Sequence, residues 1–253
     1  MKNIITIAKN TFKETIRDRI LYAILAFSIL FLLSTLMLGS ISLGEDIKVI
    51  KDLGLAGIYI FSLLITIFLG TSLIHKEIEK KTLYIILSKP VLSTHFILGK
   101  FLGLLASIKL NIFIVTSVYL VIVYLKGGGI DFLSLWSTLL LIFEISIFIG
   151  LTILFSTITT PLAGAIYSVI ILYIGHSLSI LKDYAEKSSE IIHSIVNITY
   201  YLLPNLEKFN IRNSIVYGVV PAPLEIICPI VYSVLYTIIL LWLAILALKN
   251  QDF

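Results

Sequence analysis

HKEIEKKTLYIILSKPVLSTHFILGK, residues 75 to 100, is a polar island between two strongly apolar runs. It carries five lysines (Lys76, Lys80, Lys81, Lys89, Lys100) and two acids (Glu77, Glu79), together with an apolar set, Ile74, Ile78, Ile85 and Ile86, at near-helical spacing. That combination predicts a short helix lying at a membrane face, because one side can rest on apolar surface while the other stays hydrated. Glu77 and Lys81 stand four apart in the favourable order, which contributes only about 0.3 kcal/mol. The pairing shapes the helix and does not anchor it.

The rest of the composition agrees with a membrane setting. The chain has 253 residues, 58% hydrophobic and 13% charged, with a mean hydropathy of +1.06, too apolar for a soluble domain of this size. The expected fold is an all-α polytopic membrane protein forming one transmembrane domain over residues 1–253. The single cysteine, Cys228, excludes an intrachain disulfide and a multi-cysteine metal site. The net charge of +4 comes from basic segments beside the spans, so the positive balance points to anionic lipid and not to nucleic acid.

Residues 1–19 read as an N-terminal amphipathic interfacial helix resting on anionic lipid. Ile4, Ala8, Phe12 and Ile16 make one row, and Lys9, Lys13 and Arg17 make the next. The following run, Ile20 to Gly39, is too long for a signal peptide and has no small-residue cleavage site, so it reads as a retained first span. Five more stretches approach the roughly 20 apolar residues a bilayer needs: Leu53–Ile74, Phe101–Leu125, Phe132–Ile158, Leu162–Leu181 and Pro229–Leu248. Asp52 and Asp131 are expected N-caps of the second and fourth spans. Gly127, Gly128 and Gly129 predict the turn before the fourth, and Pro161 the tight join between the fourth and fifth.

Six spans place both termini on one side. That side carries 11 lysines and arginines against 7 on the other, which predicts cytoplasmic termini, a cytoplasmic 75–100 segment and a multi-pass protein of the cell membrane. The long external piece, residues 182–228, contains Ile191, Ile192, Ile195, Val196, Ile198, Tyr200, Tyr201 and Leu202, punctuated by Pro204, Pro221 and Pro223. Short helices dipping into the outer leaflet account for it better than a long coil. It reads either as an interfacial aromatic belt or as a lid over an outward exit.

Catalytic signatures are missing. Gly99-Lys100 is followed by Phe101 and lacks the upstream glycine of a P-loop, and neither H-E-x-x-H nor G-x-S-x-G occurs. The four histidines fall at unrelated positions. The informative residues are two charges inside apolar spans, Lys109 in the third and Glu144 in the fourth. Each costs about 3 kcal/mol to insert, against roughly 0.3 to 0.6 returned per Leu, Ile, Val or Phe, so both must face protein or water. Their depths differ by about 7 Å. Three readings are open: a Lys109–Glu144 pair tying neighbouring helices, a place on a translocation route, or a lysine that merely snorkels.

At the island the chain resembles a known family. The acidic pair, then Lys81-Thr82-Leu83, Leu87-Ser88-Lys89-Pro90-Val91 and Phe96-Ile97-Leu98-Gly99-Lys100, is similar to the cytoplasmic loop of type-2 ABC exporter permeases. The nearest branch is the one that includes the permease of the nitrous oxide reductase copper-site maturation system. The likeness continues through the six spans, Leu203-Pro204-Asn205 and the terminal Gln251-Asp252-Phe253. Lys81 and Ser93 depart from the pattern, which often has glycine before the threonine and arginine three residues after the proline.

The resemblance implies the membrane subunit of an ATP-driven exporter, not itself an enzyme and without a cofactor. ATP and Mg would reside in separate cytoplasmic ABC ATPase subunits. A second permease copy, a homodimer in preference to a heterodimer, would complete the path. Glu77, Glu79, Lys80, Lys81 and Thr82 become ATPase-coupling residues, where the residues alone fit equally a solvated, lipid-facing charged helix. Gly99 and Gly103, spaced for close helix contact, are candidate packing positions in the bundle or dimer. A different class, a stand-alone secondary transporter or channel, would use Lys109 and Glu144 as its relay.

Overall fold

A computed structural model describes residues 2–42, 44–79, 92–185 and 190–250. Among them the regular structure is helical throughout. The N-terminal helix is α1 (Lys2–Ile16). The six helices long and apolar enough to cross a membrane are α2 (Arg19–Ile41), α3 (Asp46–Ser72), α5 (Ser93–Leu125), α6 (Phe132–Ile158), α7 (Pro161–Ala185) and α10 (Pro223–Lys249). Short helices α4 (His75–Glu79), α8 (Glu190–Leu202) and α9 (Arg212–Val216), with a 3₁₀ turn at Glu207–Phe209, fill the connections.

The bundle is built around α3 and α6, whose most apolar windows are 61% and 67% buried, against 22% for α2 and α7. Small residues set these approaches. A Cβ on Gly70 would sit 2.1 Å from the Thr152 hydroxyl, so only glycine lets α3 lie this close to α6. The turn before α6 is made by Gly127 and Gly129 at φ 83° and 68°, a region side chains rarely adopt. Asp131 then caps α6, its carboxylate accepting from Ser134 N at 3.4 Å, from the Ser134 hydroxyl at 2.6 Å and from Tyr119 at 3.2 Å, with Lys51 Nζ at 3.1 Å.

Several sequence-predicted boundaries shift. Asp52 is not an N-cap, since α3 begins at Asp46, and the last span begins at Pro223 with Pro229 inside it. The island also divides. Residues 75–79 form α4, residues 80–91 lie outside the described set, and Ser93 to Lys100 are the first two turns of α5.

Helix α1 does more than rest on lipid. Lys9, Lys13 and Arg17 are exposed as expected, but Thr11 and Thr15 are buried against α5. Gly99 and Gly103 are what admit it: a Cβ on Gly99 would lie 2.7 Å from the Ile7 side chain, and one on Gly103 would lie 2.5 Å from the Ala8 carbonyl. The glycine pair therefore serves a contact within the chain. Gly103→Leu is expected to lift α1 away at a cost of about 1 to 3 kcal/mol. Limited proteolysis at Lys9 and Lys13 reads this as faster cleavage; an unchanged rate would show that α1 docks elsewhere.

Candidate functional site

At the α1 end of the bundle, α4 is held from three sides. The chain leaves α3 through Leu73 and the fully buried Ile74. The first free N–H groups of the new helix would have no partner, and the Ser156 hydroxyl of α6 accepts both, from Ile74 at 2.9 Å and from His75 at 3.0 Å. Lys100 of α5, 4% exposed, pairs with Glu77, and Glu14 of α1 lies 3.7 Å from the same ammonium. Lys76 stands 4.0 Å from Asp18, which caps α2 by accepting from Ile20 N. Five residues thus touch the start of α2, α5 and α6 while following directly from α3, and Lys100 links them on to Glu14 of α1.

This arrangement sorts the island residues. Glu77 faces inward to Lys100, whereas Glu79 is exposed. Lys80, Lys81 and Thr82 lie outside the described residues. Lys100 was visible only as one basic residue among five, and Ser156 carried no sequence signal, because a mid-helix serine usually bonds its own helix.

Toward the opposite end, a polar cluster sits inside the spans. Glu144 of α6 is 2% exposed; it accepts from the Tyr59 hydroxyl of α3 at 3.0 Å and lies 3.1 Å from His176 Nε2 of α7. The other ring nitrogen, Nδ1, is 3.0 Å from Glu207. Arg212 of α9 stacks over the Tyr59 ring at 4.8 Å and donates to Asn210 Oδ1 at 3.2 Å, while Asn210 donates to Glu207 at 2.9 Å. Glu144, His176 and Glu207 do not converge as a metal site, because each carboxylate meets a different ring nitrogen; among the described residues no group of three metal-ligating side chains does so.

Tyr59, Glu144 and His176 stand about 14 to 20 Å along their helices from the ends on that side, so the 203–216 stretch reaches into the span region. It is seated by Gly175, where a Cβ would meet the Pro204 carbonyl at 2.7 Å, and by Leu206 N donating to Gly175 O at 3.1 Å. Asn205 N donates to the Tyr232 hydroxyl at 2.9 Å, and Leu206 is fully buried. Irregular backbone survives at such depth only where protein satisfies it, and these bonds do so.

Lys109 and Glu144 are not a pair. Lys109 is exposed beside a groove of about 240 Å³ between α5, α6 and α10, which includes Phe143 and Ser146. Glu144 follows Phe143 by one residue, about 100° around α6, and faces α3 and α7 instead. The two charges that the stand-alone transporter reading would use as a relay make no direct contact with each other. His176 and Tyr59 were missed, although an ionisable histidine within an apolar span is itself a signal.

A family model described as ABC-2 family transporter protein matches residues 5–253. The chain belongs to the ABC-2 transporter family. Its role is accordingly that of a membrane permease subunit and not of an enzyme. No curated protein sequence matches this ABC-2 family chain.

Proposed function

We propose that this chain is the membrane-spanning permease of an ATP-driven ABC exporter, with two copies enclosing the path. Two separate ATPase subunits, which hold the ATP and Mg, would dock on a cytoplasmic face at residues 75–88. The observation that carries this reading is the anchoring of α4. A displacement at its exposed side is passed at once to α3 by covalent continuity, to α5 through Lys100, and to α6 through Ser156. A helix that only rested on lipid would not need a buried ion pair and a cap supplied by another span.

The excess of lysine and arginine at the α1 end supports its cytoplasmic placement, in a cell membrane. The second copy follows from the family reading; the exposed apolar faces of α2 and α7 are what lipid covers in any membrane span. A role in copper-site maturation rests on family analogy alone.

Glu79 tests the docking surface, because it is exposed and serves no internal contact given above. Glu79→Lys is expected to weaken association with the co-expressed P-loop ATPase about tenfold while insertion and monodispersity stay as in the parent. Association that does not change on co-purification would remove α4 from the interface.

A further inference from the structure

The cluster around His176 poses a question of hydrogen counting. Four contacts join acceptor-capable atoms: His176 Nδ1 to Glu207 Oε2 at 3.0 Å, His176 Nε2 to Glu144 Oε1 at 3.1 Å, Tyr59 to Glu144 Oε1 at 3.0 Å, and Tyr59 to His176 Nε2 at 2.5 Å. With both carboxylates ionised and the imidazole neutral, only two hydrogens are present, one on the ring and one on the phenol. Whichever ring nitrogen holds its hydrogen, the other then faces a carboxylate oxygen lone pair to lone pair. Turning the phenol toward Nε2, which it also touches, leaves Glu144 Oε1 without that donor.

One further proton satisfies the three carboxylate contacts, with the Tyr59 oxygen sharing the Nε2–H. An imidazolium donates from Nδ1 to Glu207 and from Nε2 to Glu144, and Tyr59 donates to Glu144. The charges then close as well: Glu144 and Glu207 are balanced by His176 and by Arg212, which reaches Glu207 through Asn210. Without that proton the cluster carries a net negative charge beside a carboxylate that is 2% exposed within the spans, a costly state. A cavity of about 20 Å³ adjoins Glu144, His176, Ser137, Thr138, Asn210 and Arg212, space for about one water to carry a proton in or out.

We propose that Glu144, His176 and Glu207 form a single-proton site that latches the re-entrant 203–216 stretch onto α6 and α7, closed while the proton is held and loosened when it leaves to solvent. The ligand is the proton itself. The groups facing His176 are Tyr59 from α3, Glu144 from α6, Glu207 from the 3₁₀ turn and, behind Tyr59, Arg212 from α9. The sign follows from the count: acid favours the closed latch, and rising pH opens it. Proton binding here needs no ATPase partner, so its failure in a test is distinct from failure of the transport reading.

The test uses the full chain in lipid nanodiscs with a nitroxide on Asn213→Cys, an exposed position of α9, in a Cys228→Ser background. Label mobility is followed from about pH 5.5 to about pH 9. The parent is expected to pass from immobilised to mobile in one step with the steepness of a single proton. Glu144→Gln supplies an amide hydrogen to Nε2 without any extra proton, so its label is expected to stay immobilised across the range. His176→Gln removes the proton acceptor and is expected to give a mobile label throughout. Glu207→Gln, at the more exposed partner, repeats the Glu144→Gln outcome where the buried variant folds poorly. A parent with pH-independent mobility, or a Glu144→Gln chain that keeps the transition, overturns the proposal.

Discussion

Glu77→Gln is expected to destabilise the folded chain by about 3 kcal/mol, and adding Lys100→Met is expected to recover most of that loss. Lys100 is 4% exposed, and Glu77 is its close partner. Removing the carboxylate leaves an ammonium buried against the Phe96 ring, whose centroid is 5.7 Å away. Glu14 cannot take over, because its side chain is 63% exposed and 3.7 Å away, where water screens the attraction. Methionine keeps the length of the lysine stem and removes the charge, so the double variant no longer has an unpaired buried ion. Stability would return, but the link from α4 to α5 would not, and ATP-driven transport should stay impaired in the double variant. Unfolding in detergent and transport in proteoliposomes read the two effects separately. If the double variant is no more stable than Glu77→Gln, the pair is not the source of the loss.

The six spans were legible because hydropathy sums over some 20 residues and tolerates single exceptions. The ends were not, since apolar content marks where the bilayer begins and not where the helix does. Asp46 to Asp52 continue α3 beyond its apolar run, and Ser93 to Lys100 do the same for α5. Asp131 was readable as a cap because the signal is local, a carboxylate three residues before the amide it accepts from. Depth along a helix could be counted for Lys109 and Glu144, but azimuth depends on which neighbours pack where, and that separated them. The Tyr59–Glu144–His176 cluster joins residues 85 and 117 positions apart, so only the packing of α3, α6 and α7 could reveal it. The small residues were a partial guide: Gly99 and Gly103 marked a close contact, but the sequence left its partner, α1, unnamed.

Ser156→Ala is the second large effect, and it isolates the link between α4 and α6. One hydroxyl accepts the Ile74 and His75 amides at 2.9 and 3.0 Å, and both Ser156 and Ile74 are fully buried. Alanine leaves two donors without an acceptor, the Ile74 amide in a fully buried place and the His75 amide in a part-buried one. An orphaned buried group costs about 1 to 3 kcal/mol, so the joint should lose about 2 to 6 kcal/mol, less whatever α4 recovers by tilting toward solvent. Ser156→Thr retains the oxygen and should keep most of the anchoring. Amide exchange across residues 73–79 should accelerate in the alanine variant and stay near the parent rate in the threonine one. Because Glu79 and the exposed side of α4 are untouched, ATPase association should persist in both, while transport falls only in the alanine variant. Unaltered exchange at 73–79 in Ser156→Ala would mean that α4 is held by its charges alone, and force arriving there would then reach α6 only indirectly, through α3 and α5.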